Sequence, residues 1–458
     1  MQTFKATPAH PPADASPSSV TETMKHPAKG LAHYFLPILI AGSLSPLFLT
    51  ATKQLPSPAA TAPTALFATD DSLSTDSLTL DSLSADSLQR PWPLWLSDGL
   101  DSLLQDDIFE RTQLGLYVYD LTADSALYRH GHRQLLRPAS VEKLVTSISA
   151  LHFLGGGFQF LTRLYTNGCQ TDTVFTGDLY LKGGFDPRFS YDDMSALVEA
   201  LHTTGIRRIE GRIFTDLSIK DTLKWGEGWC WDDDEIMLKP LLYSGEDCFM
   251  EKFFEQLDEA GIAHPTEYAE KMIPADSTVM LVERNHTIDQ ILMRLLKESD
   301  NNYAESLFYQ MGILDGATYP SARAAAKKIG TLISDLGLNP NDYYIADGSG
   351  LSLYNYVTPE LIVSLLRYAW QRDNIFEHLY PALPIAGEDG TLEKRMRNSS
   401  AHYNVHAKTG TVRSVSTLAG YATASNDHLL AFCIMNQGIR TTSIGHRFQD
   451  KVCKLLTR

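Results

Sequence analysis

The chain has 458 residues, of which 43% are hydrophobic and 21% charged, a globular composition long enough for two or three domains with a sizeable core. It carries 39 Lys and Arg against 55 Asp and Glu, a formal net charge of −16 at pH 7. A nucleic-acid partner would need a basic face, so this charge balance argues against one.

The first 51 residues are predicted to be a targeting segment. Lys25 and Lys29 precede an apolar run over residues 31–51, and positive charges before such a run are typical of an export signal. The run is also about long enough to span a bilayer as an anchor, although prolines interrupt it. Both interpretations place the rest of the chain outside the inner membrane, in the periplasm, with residues 31–51 as its only expected membrane contact.

Residues 52–100 are predicted to be a disordered linker. Their first part is rich in Pro, Ala and Thr, and the triplet Asp-Ser-Leu then begins at residues 71, 76, 81 and 86. A five-residue step fits neither a helical heptad nor a strand, and the acidic, Ser-rich composition favours a solvated spacer.

The folded part begins with a predicted hairpin, Leu114–Leu121 and Ser125–Arg129, and continues with an amphipathic helix over Val141–Phe153. Ser140 stands at the start of this helix, and Lys143 follows one turn later. A spacing of three residues places both side chains on the same face of the helix.

A long stretch then separates Lys143 from Ser299. Its 155 residues include strand-like and helical segments, so it is too structured to be a mere loop. We therefore predict one domain in two parts, 101–168 and 286–458, with an inserted domain over 169–285.

The triplet Ser299-Asp300-Asn301 interrupts a helical stretch with turn-favouring residues. Two Gly-rich loops follow at Asp347–Ser352 and Gly387–Leu392. The chain ends with three strand-like segments and a helix: Val405–Thr411, Ser416–Thr423, Leu429–Met435 and Ile444–Leu456. The whole pattern predicts an α/β fold of the α+β kind, with one antiparallel sheet built from both chain ends and flanked by helices.

Three short motifs in this order supply the parts of an acyl-serine reaction: Ser140-x-x-Lys143, Ser299-Asp300-Asn301 and Lys408-Thr409-Gly410. A serine hydroxyl needs a base, and a lysine can serve only if burial or a nearby cation lowers its pKa. We expect Lys143 to be the base for Ser140, with Lys408 as the cation that lowers its pKa. Ser299 would relay a proton to the leaving amine, and Asn301 would orient Lys143 and the substrate.

The third motif is expected to bind substrate. Lys408 and Thr409 would hold a terminal carboxylate, and Gly410 would let the substrate backbone lie close along the strand. The backbone N–H groups of Ser140 and Thr411 would hold the oxyanion. Each motif alone is weak, but the ordered trio is the pattern of serine β-lactamases and penicillin-binding proteins.

No metal or cofactor is expected. The 14 histidines include no His-x-x-x-His pattern, and the five cysteines include no Cys-x-x-Cys pair. Cys230 and Cys248 would be able to form a disulfide in an oxidising compartment, and buried thiols are the alternative.

With its motifs and their flanks, the chain resembles the D-alanyl-D-alanine carboxypeptidases/endopeptidases of the class C penicillin-binding proteins, penicillin-binding protein 4 type, peptidase family S13. The resemblance covers roughly residues 100–458, implies the fold of penicillin-binding proteins and β-lactamases, and includes the family's long insertion before Ser299. The matching segments are Arg137-Pro-Ala-Ser140, Lys297-Glu-Ser-Asp-Asn301, Asp347-Gly-Ser-Gly-Leu-Ser352, Gly387-Glu-Asp-Gly-Thr-Leu392 and Ala407-Lys-Thr-Gly-Thr411.

One turn departs from the family pattern. Gly184-Phe185-Asp186-Pro187 stands where the family has Gly-Gly-Asp-Pro. In relatives this aspartate is thought to meet the free amino group of the peptide's diamino acid. The resemblance therefore implies a substrate-binding role for Asp186, and a turn cap is the alternative.

The resemblance implies a reaction on peptidoglycan stem peptides, in which Ser140 attacks the D-Ala-D-Ala carbonyl, D-Ala leaves and water hydrolyses the acyl-enzyme. If the leaving amine belongs to another peptide, the same chemistry cuts a cross-link. β-Lactam antibiotics would acylate the same serine and inhibit the enzyme. The alternatives are a serine β-lactamase, a transpeptidase and a non-catalytic envelope-binding relative.

Overall fold

A computed structural model describes residues 91–230 and 237–458. The predicted targeting segment and the Asp-Ser-Leu repeats lie outside these residues. Within them the strands are β1 Gln113–Asp120, β2 Ser125–His130, β3 Gln159–Thr166, β4 Cys169–Thr171, β5 Val174–Thr176, β6 Leu179–Lys182, β7 Arg208–Glu210, β8 Ile213–Asp216, β9 Tyr268–Glu270, β10 Val279–Thr287, β11 His406–Val412, β12 Val415–Thr423 and β13 Leu429–Gln437.

The helices confirm those expected around the three motifs and add others that the sequence did not indicate. They are α1 Trp92–Leu103, α2 Glu142–Leu154, α3 Tyr191–Thr203, α4 Phe249–Glu259, α5 Ile288–Lys297, α6 Asn301–Gly312, α7 Ala322–Asp335, α8 Pro359–Trp370, α9 Asp373–Ala382 and α10 Thr442–Leu456. In the described part of the chain, no helix has the length and apolar character needed to cross a membrane.

The first sheet is antiparallel and has the order β11-β12-β13-β1-β2, so the N-terminal hairpin lies beside the C-terminal strands. Alternate side chains of β13 point to opposite faces of the sheet. Phe432 and Ile434 pack with α1 and α10, whereas Cys433 and Met435 pack with α2 and α8. Because both faces are covered, β12 and β13 are buried along almost their whole length. The predicted α/β fold, with an antiparallel sheet flanked by helices, is confirmed.

Residues 159–287 build a second layer. A five-stranded sheet of order β10-β3-β6-β8-β9 and a three-stranded sheet of order β4-β5-β7 cover a separate hydrophobic cluster that includes Leu181, Leu197 and Phe253. The outer strand β10 pairs antiparallel with β3, so this layer begins at Gln159 and ends at Thr287. The limits that the sequence predicted for the inserted domain, residues 169 and 285, both lie inside these bounds.

Helix α1 corrects one boundary predicted from the sequence. The disordered linker was predicted over residues 52–100, but Trp92–Leu103 is helical. Leu96 and Leu100 are buried in the cluster that α10 also joins, and the Trp92 indole donates to the carbonyl of Arg458 at 3.3 Å. Burial against a helix from the other end of the chain therefore stabilises a segment whose neighbours in sequence are polar.

Candidate active site

Ser140 lies in a short 3-10 turn, Ala139–Val141, that runs directly into α2. Ala139 has a φ of 47°, and two glycines from other segments pack against this turn. A Cβ at Gly350 would lie 1.9 Å from the Ala139 carbonyl oxygen, and one at Gly410 would lie 2.9 Å from the Ser140 nitrogen. Only residues without a side chain allow the loop and the strand to approach Ser140 this closely.

Lys143 joins the first two motifs. Its Nζ lies 3.0 Å from Ser140 Oγ, 2.6 Å from Asn301 Oδ1 and 2.8 Å from the Ser349 carbonyl oxygen. The side chain is fully buried, and this burial lowers the pKa of Lys143 to about 8, against the opposing pull of nearby carboxylates. At pH 7 about one tenth of the lysine is then the free base that can accept a proton from serine.

Lys408 joins the second and third motifs. Its Nζ lies 2.8 Å from Ser299 Oγ and 2.8 Å from the Thr409 carbonyl oxygen, and the side chain is also fully buried. Burial, and secondarily the charge of Lys143, hold the pKa of Lys408 well below its usual value. The sequence allowed both burial and Lys408 as causes of a low pKa in Lys143. Burial is the main cause, and the largest charge effects on Lys143, from Asp347 and Glu305, raise its pKa instead.

The break between α5 and α6 directs the second motif toward both lysines. Ser299 has a φ of 64°, and Asp300 caps α6 by accepting the Tyr303 N–H at 3.3 Å. The reversal directs Ser299 to Lys408 and Asn301 to Lys143. The turn predicted here is therefore confirmed, and it brings the hydroxyl and the amide to different lysines.

Two buried acids that the sequence did not assign to the site hold the loop after Asp347. Glu305 accepts the N–H groups of Gly348 at 3.1 Å and Ser349 at 2.8 Å, and Asp347 accepts that of Gly350 at 2.8 Å. This arrangement aims the Ser349 carbonyl at Lys143. Glu305 was detectable in principle, because it follows Asn301 by one helical turn and so shares its face.

The edge strand β11 presents the third motif. The Thr409 hydroxyl donates to the Thr391 hydroxyl at 2.7 Å, so the loop Gly387–Leu392 meets the strand at this point. The carbonyl of Thr409 accepts from Lys408 and not from β12, and strand alternation places the N–H of Thr411 on the same open edge. Thr391 is a residue that sequence reasoning missed, although its loop was noted.

Gly410 has a packing role that the sequence did not indicate. A Cβ there would lie 2.2 Å from Thr417 Oγ1 and 2.8 Å from the Pro138 carbonyl oxygen, two atoms that are hydrogen bonded to each other at 2.7 Å. The glycine thus lets the strand pack against the turn that carries Ser140.

We expect Gly410→Ala to slow acylation by about 100-fold, since a shift near 1 Å at a reacting group can cost that much. The crowding should also destabilise the fold by about 1–3 kcal/mol. Acylation rates and denaturant unfolding measure the two effects. Gly157→Ala is the control, because a Cβ at Gly157 has open space around it, and equal effects of both changes would contradict the prediction.

Asp186 is held by neighbours within the second layer. Its side chain is buried, with Oδ2 2.7 Å from His286 Nδ1 and Oδ1 accepting the Arg188 N–H at 3.0 Å. Phe185, which stands where the family has glycine, keeps a left-handed φ of 49° and packs its ring against Tyr309. These contacts are those of a turn cap, and the substrate-binding role of Asp186 stays a prediction.

A cavity of about 610 Å³ opens beside the second motif. Asp300 and Asn302 line it from α6, and Arg188 and His286, the two neighbours of Asp186, line it from the second layer. Among residues 91–230 and 237–458, no cluster of three His, Cys, Asp or Glu side chains has the arrangement of a metal site.

Comparison with solved structures places this fold. The crystal structure of penicillin binding protein 4 (dacB) from Haemophilus influenzae superposes with a TM-score of 0.69 at 20% sequence identity, covering 78% of this chain and 97% of that protein. The fold is therefore that of the penicillin-binding proteins, with a serine–lysine pair between α6, the loop after Asp347 and the edge strand β11.

Sequence comparison agrees. The chain is 27% identical over 445 residues to a D-alanyl-D-alanine carboxypeptidase of Actinomadura sp. (strain R39), covering 75% of this chain and 81% of the relative. It is 22% identical over 424 residues to the D-alanyl-D-alanine carboxypeptidase DacB of Haemophilus influenzae, covering 74% and 88%. A profile of the D-Ala-D-Ala carboxypeptidase 3 (S13) family matches residues 96–241 and 243–458. The chain belongs to this family, which confirms the resemblance seen in its motifs.

Proposed function

We propose that this carboxypeptidase cleaves the D-Ala-D-Ala ends of peptidoglycan stem peptides through an acyl-enzyme on Ser140. The observation that carries the proposal is the position of the buried Lys143 amine, 3.0 Å from Ser140 Oγ and 2.6 Å from Asn301 Oδ1. A base at hydrogen-bond distance from a serine, itself oriented by a third group, is the arrangement that nucleophilic catalysis requires.

In the first step, Lys143 takes the proton of Ser140 while Ser140 Oγ attacks the carbonyl carbon between the two alanines. The N–H groups of Ser140 and Thr411 stabilise the resulting oxyanion. Ser299, which Lys408 holds by a hydrogen bond, then relays that proton: it gives its own proton to the departing amine of D-Ala and receives the one held by Lys143, so that both groups return to their starting state. Water completes the cycle by hydrolysing the ester on Ser140.

The terminal carboxylate of the substrate is bound at the edge of β11. Lys408 is fully buried and already donates to Ser299 and Thr409, so we assign it to orienting these two groups rather than to direct contact with the carboxylate. The hydroxyls of Thr409 and Thr391 lie at the accessible edge. Thr391 can donate its O–H to a carboxylate there, and Thr409 can do so if its hydroxyl turns away from Thr391. The expectation that Lys408 and Thr409 bind the carboxylate is therefore refined: the threonine hydroxyls contact it, and Lys408 does not.

The same chemistry extends to cross-linked peptides and to β-lactams. If the leaving amine belongs to a second stem peptide, its release cuts the cross-link. One solved structure of the Haemophilus influenzae protein, with a TM-score of 0.66 to this chain, is a complex with a β-lactam. A β-lactam that mimics the D-Ala-D-Ala end would acylate Ser140 and inhibit the enzyme. Such substrates lie outside the inner membrane, in agreement with export by the N-terminal segment.

Mass spectrometry tests the proposal directly. Incubation with benzylpenicillin should add one penicillin mass to the peptide that contains Ser140, and incubation with cross-linked muropeptides should release D-Ala, cross-links or both. Rapid turnover of penicillin without a lasting adduct would favour a β-lactamase. Products joined to an added amine acceptor would favour a transpeptidase, and unchanged muropeptides would leave a non-catalytic envelope-binding protein.

The acylation rate should depend on pH through Lys143. Below its pKa of about 8 the lysine is an ammonium that cannot accept a proton, so the rate should fall about tenfold for each pH unit below 8 and level off above it. Burial also raises the pKa of Glu305 to about 8, and the ionised carboxylate favours the ammonium form of Lys143. Glu305→Gln should therefore move the acid limb to lower pH. The rate of fluorescent-penicillin labelling between pH 6 and 10 measures both effects, and a limb that stays in place would contradict the role of Glu305.

A further inference from the structure

A segment of the second layer is seated on the loop behind the catalytic lysine. The Trp229 indole nitrogen lies 2.8 Å from Asp347 Oδ2, and Ser352 Oγ donates to the carbonyl of Glu227 at 2.6 Å. Gly228 between them has a φ of 75°, and a Cβ there would lie 2.6 Å from the ring of Tyr354. Residues 226–229, here called the seated segment, therefore fit closely against the loop that follows Asp347.

Asp347 is the point where this segment meets the catalytic machinery. Its buried carboxylate accepts the N–H groups of Gly350 at 2.8 Å and Ser352 at 2.6 Å and the side-chain amide of Asn355 at 2.7 Å. In the described part of the chain, Trp229 is its one hydrogen-bond donor from outside residues 347–355. The same loop supplies the Ser349 carbonyl that accepts from Lys143.

We propose that Trp229 is a positioning residue for Lys143, acting through Asp347, so that the reactivity of Ser140 depends on the seated segment. The inference rests on the proposed role of Lys143 as the base. The indole N–H directs its positive end at the carboxylate and offsets part of its charge, which adds to the support of the loop. Without that hydrogen, Asp347 would hold the ammonium form of Lys143 more strongly.

The carboxylate that Trp229 contacts also affects the pKa of Lys143. Among the charges that raise the pKa of Lys143 against its burial, that of Asp347 comes first. The charged groups that face Lys143 come from its own helix, from α6 and its cap, from the loop and from β11: Glu142, Glu305, Asp300, Asp347 and Lys408. Of the four acids, Asp347 is the one that the seated segment contacts.

The test is the pH profile of acylation by a fluorescent penicillin. For Trp229→Phe, which keeps a ring and removes the donor, we expect a rate about three- to tenfold lower at pH 7. The acid limb should move to higher pH, so that the deficit shrinks steadily toward pH 10. Trp225→Phe is the matched control, because Trp225 is 48% exposed, and its profile should equal that of the unchanged enzyme.

A Trp229→Phe profile at the original position, or a deficit of the same size at every pH, would overturn the inference. Benzothienylalanine at position 229 replaces only the N–H by sulfur, and it answers the same question if phenylalanine disturbs folding. Failure of the unchanged enzyme to form any adduct on Ser140 would instead overturn the proposed function. Normal acylation of the unchanged enzyme with no shift in the variants overturns only the role of Trp229.

Discussion

Replacing Ser140 with alanine is expected to remove the penicillin adduct and to lower D-Ala release by a factor on the order of 10⁴ or more, as loss of a nucleophile does in other serine enzymes. In the proposed reaction this hydroxyl forms the ester, so without it Lys143 Nζ, which lies 3.0 Å away, would have no proton to accept. Intact-protein mass spectrometry with penicillin and chromatography of digested muropeptides measure the two losses.

Ser147→Ala is the matched control for that experiment. Ser147 lies on the same helix, is fully buried, and its hydroxyl has no hydrogen-bond partner among the described residues. Its removal should leave the adduct and the release of D-Ala intact. Unchanged muropeptide cleavage by the Ser140 variant would refute an acyl-enzyme on this residue.

Replacing Lys143 with methionine is expected to lower the acylation rate by about 10²–10⁴-fold, the range that a positioned general base contributes. Methionine keeps most of the length of the side chain but has no amine for the Ser140 proton. The rise of the rate up to pH 8 should vanish with the lysine, because that rise reports its ionisation. Stopped-flow labelling across the pH range measures both effects.

The control for this change is Lys327→Met, since Lys327 is exposed on α7 and away from the three motifs. Its rate and pH profile should equal those of the unchanged enzyme. If the Lys143 variant kept the original pH limb, another group would have to be the base. Glu305, whose pKa is also raised to about 8, would then be the first to examine.

Local patterns in the sequence were sufficient to predict that Ser140 and Lys143 lie side by side. Ser140 and Lys143 are three residues apart on a periodic helix, so the sequence places them together without any tertiary information. The strands of the first sheet also carry clear apolar runs. The hydrogen bond between Asn301 and Lys143 spans 158 residues, and only the recognition of a known motif set allowed it to be expected.

The contacts missed by the sequence are those between loops. The loop that carries Thr391 is held next to the second motif, because Lys297 donates to Asp389 in that loop at 2.6 Å. This places the Thr391 hydroxyl beside that of Thr409. No periodic pattern in the sequence indicates such a contact between a loop and a strand. The dominant effect of burial on the pKa of Lys143 was not predictable for a similar reason, since burial of Lys143 depends on how completely α6 and the loop after Asp347 cover it.

Asp186 shows what a motif leaves out about the environment of a residue. Its carboxylate is buried, and its two oxygens contact His286 and the Arg188 N–H, which no pattern in the sequence indicated. Its substrate-binding role stays a prediction. Phe185 also shows that a glycine position can be filled when the ring gains enough buried contact to offset a left-handed backbone, a cost of about 1–2 kcal/mol.

The order of strands in the first sheet has a consequence for how the enzyme matures. Strand β13 is the middle strand and pairs with β1. Directly before it, His428 contacts Asp120, which lies 308 positions earlier in the chain. Closing so long a loop is entropically costly and makes folding slow. A nascent chain that ends before Leu429 would lack the strand that packs with α1 and α10 on one face and with α2 and α8 on the other. The serine–lysine pair can therefore form locally at an early stage, but it becomes reactive only after the last strand has been added.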